Sequence, residues 1–183
     1  SEKRESIARW QAKVGKKEAE RVKNVAGKRG TAMHNYLEYM VAGKNLLDLT
    51  EEGVEAQKMA EVVRDKGFGD LDEIWGSEVV LSYPGLYAGQ TDLCGIYQGR
   101  ESIIDFKQSN KPKREEWIED YYYQMVAYAM AHDVIHGTQI EQGVILMCTP
   151  DLFFQKFVLN GSRFRQYKWK WLWRLSEYYK NVH

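Results

Sequence analysis

Apolar positions recur along the chain with two different periods, and the change of period divides it. Residues 2–25 are polar and helix-favouring with a break expected at Gly15, and Gly27 and Gly30 predict a basic hinge before a second helix. Thr31 is the expected N-cap of that helix, Met33, Tyr36, Leu37 and Met40 its apolar face, and Gly43 its stop. A further helix is predicted over residues 51–66. The period then falls to two, so that residues 74–82, 87–97 and 102–107 read as three strands of an antiparallel meander with turns at Pro84-Gly85 and Gln98-Gly99. Residues 114–132 return to helical spacing, 143–148 and 153–159 are strand-like, and 162–180 form a long aromatic helix with Ser162 as N-cap. This order implies one mixed sheet with helices packed on it, α/β by architecture and α+β by segregation.

The 183 residues fit a single domain, 1–183, with a helical N-terminal part over 1–66 and the sheet and its helices over 70–183. No internal repeat or linker interrupts it. With 44% hydrophobic and 28% charged residues and three prolines, the composition excludes disordered, collagen-like and low-complexity chains. No apolar run is long enough to span a membrane. Cys94 and Cys148 are too few for a disulfide scaffold or a four-thiolate cluster, so a reducing compartment and no iron-sulfur centre are expected. The chain opens at Ser1 with neither a Met nor a signal-like stretch, as expected of a processed or trimmed N-terminus.

A net charge of +0 removes any inference from overall basicity to nucleic acid. Charge is nevertheless uneven: ten basic and four acidic residues lie in 1–30, five and fourteen in 31–105, and eleven and eight in 106–183. Two basic arms thus flank an acidic centre. The pattern suits solvated helix faces, and equally a metal site gripped by a phosphate-binding surface.

Candidate chemistry concentrates in the meander. Asp105 and Lys107 are two apart on one strand and share a face, and a hairpin turning near Gly99 can bring Asp92 beside them. Two converging carboxylates repel unless a cation separates them, and hard oxygen donors suit Mg²⁺ or Mn²⁺. An adjacent lysine can help deprotonate water or stabilise a phosphorane oxyanion. The same triplet also fits a cross-strand salt bridge. His34 and Glu38 share a helix face, the imidazole being a reasonable further metal ligand, while Gln124 and Tyr128 repeat the i, i+4 relation inside an apolar stretch where polar groups want partners. Glu78 sits on the first strand with Val80 as its expected same-face neighbour.

Taken in order, Gly30-Thr31-Ala32-Met33-His34, Glu78, Gly89-Gln90-Thr91-Asp92, Ile104-Asp105-Phe106-Lys107 and Gln124-Met125-Val126-Ala127-Tyr128 resemble the motif series of the RecB-like PD-(D/E)XK nucleases. The stretch Gln108-Ser109-Asn110-Lys111-Pro112-Lys113 and the terminal Trp171-Leu172-Trp173-Arg174 are similar to the mitochondrial genome maintenance exonuclease branch and its phage relatives. The resemblance covers about residues 27–180. It implies a three-layer, restriction-endonuclease-like αβββαβ core and metal-dependent cleavage of DNA, with single-stranded ends as the favoured substrate. It further implies Asp92, Asp105, His34 and the Phe106 carbonyl as ligands of Mg²⁺ or Mn²⁺, Lys107 as the catalytic lysine, and Gln124 and Tyr128 as organisers of the site. Glu38 and Glu78 are lesser participants. The proline before the first aspartate in the family's formal motif is absent here. No Gly-rich phosphate loop occurs, which sets aside the helicase-fused branch.

Lys28 and Arg29 on one side, and Lys107, Ser109, Lys111, Lys113 and Arg114 on the other, form the expected DNA-binding set. On the terminal helix Phe164, Tyr167, Trp171, Leu175 and Tyr178 share a face, and Trp169 and Trp173 fall on the other side, where packing under the N-terminal helices is expected ahead of stacking on bases. The expected activity is a DNA exonuclease. Its rivals are a structure-selective endonuclease and a non-catalytic DNA-binding recombination module. The expected setting is the cytoplasm of a bacterium or phage-infected host, ahead of the mitochondrial matrix.

Overall fold

The computed structural model describes residues 2–83 and 85–182. Its elements in chain order are α1 (Glu2–Val14), α2 (Lys16–Val41), α3 (Glu51–Gly67), β1 (Leu71–Tyr83), β2 (Tyr87–Tyr97), β3 (Arg100–Gln108), α4 (Glu119–His136), β4 (Gln142–Cys148), β5 (Phe154–Asn160) and α5 (Gly161–Val182). The strands lie side by side in the order β1-β2-β3-β4-β5. β1, β2 and β3 pair antiparallel, β3 and β4 are parallel across the α4 crossover, and β5 returns antiparallel to β4. The sheet is therefore mixed, as its sequence pattern predicts.

Strand alternation sorts the core into two layers. Ile104 and Phe106 of β3 join Met33, Leu37, Met59 and Val63 beneath α2 and α3. The intervening Ile103 joins Met125, Val126 and Phe164 beneath α4 and α5. Asp105 and Lys107 follow Ile103 at two-residue steps and so point to the α4 side. Cys94 and Cys148 are buried in different layers, unlinked, with thiols that burial pushes up to about 12 and about 11.

Several boundaries differ from the sequence reading. Gly15, at φ 86°, does separate α1 from α2. Gly27 and Gly30, however, form no hinge, and Thr31 caps nothing: α2 runs unbroken through all three. Each helical glycine costs about 1 kcal/mol relative to alanine, and the burial of Ala32, Met33, Tyr36 and Leu37 against α3 and the sheet outweighs it. α4 begins at Glu119 rather than 114, after a 3-10 turn over Glu115–Trp117, and extends past residue 132 to His136, where Gly137 at φ 65° ends it. α5 starts at Gly161, so Ser162 lies inside it. Trp169 and Trp173 pack under nothing, being 73% and 66% exposed, and Tyr178 is exposed as well. Of the predicted turn at Pro84-Gly85, Pro84 lies outside the described residues, and Gly85 adopts φ 72°. No helix of the described residues is long and apolar enough to cross a membrane.

Candidate functional site

The site forms where a ladder stops. β2 and β3 remain in register only as far as Leu93↔Ile104, after which β2 continues paired with β1 out to Tyr83↔Tyr87. Asp92 and Asp105 are the next residues on the diverging strands. The backbone N–H of Phe106, released from the ladder, donates to Asp92 Oδ2 at 2.7 Å. The aspartate thus occupies the position a strand carbonyl would otherwise fill.

α2 closes the opening from the other side. Gly30 lies close to the end of β3, a Cβ there standing 3.7 Å from the Gln108 Cβ. One turn later His34 Nδ1 bonds the Gly30 carbonyl at 2.9 Å, and Nε2 faces Asp92 Oδ2 at 3.3 Å. Lys107 Nζ meets Asp105 Oδ2 at 2.8 Å. A cleft of about 590 Å³ lies over these groups, lined by His34, Glu38, Glu78, Asp92, Lys107 and Gln108. It shares Gly27, Thr31 and Asn35 with a depression of about 810 Å³ that reaches Lys23 and Lys28 along α2.

Burial and mutual charge split the titration of these groups. Burial pushes the Asp105 carboxyl up to about 7, and the neighbouring Asp92 adds to the effect although Lys107 opposes it. Burial works against charge on Asp92 also, but hydrogen bonds from His34, Asp105 and the Phe106 N–H outweigh it and hold Asp92 down at about 2. Burial resists the imidazolium of His34, and Asp92 overrides it, raising His34 to about 9. Lys107 is likewise raised, because Asp105 outweighs its burial. Glu78 is raised by burial and by the charges of Asp92 and Glu38.

Three carboxylates, Glu38, Glu78 and Asp92, therefore line a cleft whose cations are Lys107 and the protonated His34, with Asp105 buried beneath it against Lys107. Among the described residues no three His, Cys, Asp or Glu side chains already converge as a closed metal cage. One donor pair nevertheless has the spacing of two neighbouring ligands of a hard divalent ion. The 3.3 Å between His34 Nε2 and Asp92 Oδ2 is close to the ~3 Å separating adjacent donors of an octahedral ion with ~2.1 Å bonds, and such an ion keeps several waters.

The remaining sequence-predicted residues divide. Gln124 Nε2 donates to Tyr128 Oη at 3.0 Å, so the pair satisfies itself. Tyr128 lies over Gly89, where a Cβ would stand 2.4 Å from the ring. This contact explains the glycine before Gln90-Thr91-Asp92. Glu78 adopts φ 52° within an unbroken stretch of the β1–β2 register, lines the cleft where Val80 is exposed, and its Oε2 accepts from Gln90 Nε2 at 2.6 Å. Ser109 is buried, its hydroxyl donating to the Lys111 carbonyl at 2.5 Å. It shapes the loop rather than facing solvent. Arg29 is drawn inward by Glu55 at 2.7 Å and Asn110 at 3.2 Å. Lys28, Lys111 and Arg114 remain exposed, and Lys113 is half-buried.

Two participants escaped the sequence reading. Tyr121, in the first turn of α4, sets its ring 4.7 Å from Lys107 Nζ. Gln155 of β5 clamps the Lys113 backbone with two 2.8 Å bonds and so fixes the basic loop. Tyr121 adjoins the predicted Gln124–Tyr128 motif and was within reach of helical spacing. Gln155 carried no sequence signal.

No family model matches the chain. It is 30% identical over 156 residues to mitochondrial genome maintenance exonuclease 1 of Homo sapiens, an alignment covering 81% of this chain and 44% of that protein. To the Mus musculus protein of the same name it is 34% identical over 98 residues, 50% of this chain and 28% of the relative. The chain thus spans less than half the length of these relatives. The crystal structure of a presumptive exonuclease from Eubacterium rectale superposes with a TM-score of 0.58 at 12% identity, covering 84% of this chain and 66% of that one, which shows a shared fold.

Proposed function

We propose that this chain is a DNA exonuclease of the RecB-like PD-(D/E)XK type, dependent on Mg²⁺ or Mn²⁺ and acting on single-stranded ends. The observation that carries the reading is the convergence of Asp92, Asp105, Lys107 and His34 at the point where β2 and β3 part. The sequence similarity to an exonuclease and the shared fold support it. So does the electrostatics, since the carboxylates around the cleft outnumber its cations, Lys107 and His34, and a held metal ion would offset their repulsion of a phosphodiester.

Asp92, Asp105, His34 and the Phe106 carbonyl would hold the ion. It would supply Lewis-acid stabilisation of the phosphate oxygens and a more acidic water. The chain's own groups define the rest of the chemistry. Lys107, its pKa raised by Asp105, stays protonated near neutrality, so its role is to stabilise charge on the phosphoryl oxygens rather than to act as a base. Tyr121 and Asp105 hold the ammonium in place. Burial keeps both cysteines as thiols, and in this reading the nucleophile is water and no covalent intermediate forms. Lys28 along α2 and Lys111, Lys113 and Arg114 beyond β3 would meet the backbone on either side.

Digestion of end-labelled and circular single strands tests this reading. Open strands should be degraded with Mg²⁺ or Mn²⁺ and spared with chelator, and circles should survive. Cleavage of circles at the same rate would replace the exonuclease with an endonuclease.

A further inference from the structure

The inner stripe of α5 already satisfies the core: Phe164 is 2% exposed, and Tyr167 and Trp171 pack beside it. Trp169 and Trp173, 73% and 66% exposed, add little to that core. An indole left mostly in water exposes a large apolar face, and two of them at i and i+4 lie about 5–6 Å apart along one stripe. α5 also carries six basic residues against one acidic, and that one, Glu177, already faces Lys180 at 3.7 Å. Between α4 and α5 runs a groove of about 440 Å³ lined by Arg165, Lys168, Trp169 and Leu172. It shares Asp133, Arg165 and Lys168 with a second of about 320 Å³ that reaches Arg100. Asp133, a carboxylate common to both, is turned onto Thr138 Oγ1 and the Ile140 N–H, each at 2.8 Å.

We propose that this outer face of α5 is a second contact for nucleic acid, a stacking track in which Trp169 and Trp173 receive bases while Arg165, Lys168 and Lys170 meet the phosphates. The choice of partner follows from the chemistry. Protein interfaces are enriched in tryptophan but depleted in lysine, whereas a single strand needs π-faces interleaved with cations, as here. The track rests on reading the β2–β3 cleft as a nuclease site, and it would hold the part of a long strand that the cleft does not.

The test compares labelled oligothymidylates of about six and about thirty nucleotides, spans chosen against the site sizes of single-strand binders, bound in Ca²⁺ and then turned over in Mg²⁺. Trp169→Ala/Trp173→Ala should unfold at the same temperature as the parent and bind and cleave the short strand normally. It should bind the long strand about tenfold or more weakly. Trp169→Phe/Trp173→Phe should recover most of that affinity, because it restores the π-faces. Unchanged long-strand affinity in the alanine variant overturns the proposal, and so does an equal loss on both lengths. If the parent cleaves neither length, the nuclease reading fails, while a length-dependent binding loss would still uphold the track.

Discussion

His34 Nε2 stands 3.3 Å from Asp92 Oδ2, with Nδ1 bonded to the Gly30 carbonyl. With the Nδ1 proton so committed, Nε2 meets the carboxylate either as an imidazolium N–H or across a shared cation. In the metal-free protein the first applies, since Asp92 overrides burial and raises His34 to about 9. A raised histidine contributes stability in full below its unfolded value near 6.5, and loses it as pH climbs through about 9. Asp92→Asn removes the charge that sustains the imidazolium. In an NMR titration His34 of that variant should fall to 6.5 or below, and a value still near 9 would assign the shift elsewhere.

Lys107 lies at the same opening but bonds the other aspartate. Lys107→Ala should lower turnover by about 10²–10³-fold or more while leaving the thermal midpoint within a few degrees. Single-turnover cleavage alongside a melting curve separates the two effects. Full activity would remove the lysine from the chemistry.

Metal binding should be linked to protons. At neutral pH His34 is charged and burial beside Asp92 holds the Asp105 carboxyl up at about 7, so an ion that takes both as ligands must displace protons. Mn²⁺ affinity should therefore strengthen as pH rises from about 6 to about 9, with net proton release. Calorimetry in buffers of different ionisation enthalpy reads both quantities. An affinity flat across that range would mean that these side chains are not the ligands.

Gly89 and Tyr128 make the support of the site testable. An added Cβ at position 89 would stand 2.4 Å from the Tyr128 ring, so Gly89→Ala should cost about 1–3 kcal/mol through displacement of the ring. Tyr128→Ala should relieve most of that penalty in the double variant. Additive costs, measured by denaturant unfolding, would show that the two do not share the contact.

These relationships were unequally legible in the sequence. Asp105 and Lys107 share a face by the two-residue period alone, and His34 and Glu38 by the helical one, so both pairs could be placed before any coordinates. Gly27 and Gly30 misled, because a local penalty of about 1 kcal/mol each reads as a break until the burial of the following turns of α2 against α3 and the sheet is known. The parting of β2 from β3 after Leu93 was out of reach. It depends on β1 continuing the pairing alone, a long-range choice that no periodicity in β2 encodes. The exposed Trp169 and Trp173 were misread for a related reason: of the N-terminal helices beneath which they were expected to pack, α2 and α3 cover the other core layer of the sheet from α5, and α1 buries none of its own residues.

The central claim is that the convergence at the β2–β3 opening is a metal-dependent cleaving centre for a strand with a free end. Its most direct measurement follows a 5′-labelled and a 3′-labelled single strand with the parent protein, Asp105→Asn and Lys107→Ala, in Mg²⁺, Mn²⁺ and chelator. The account predicts progressive shortening by the parent in either metal, protection when both ends carry bulky blocks, no products from Asp105→Asn or with chelator, and shortening by Lys107→Ala slowed by about 10²–10³-fold or more. Cleavage that persisted in chelator, or in Asp105→Asn, would contradict it.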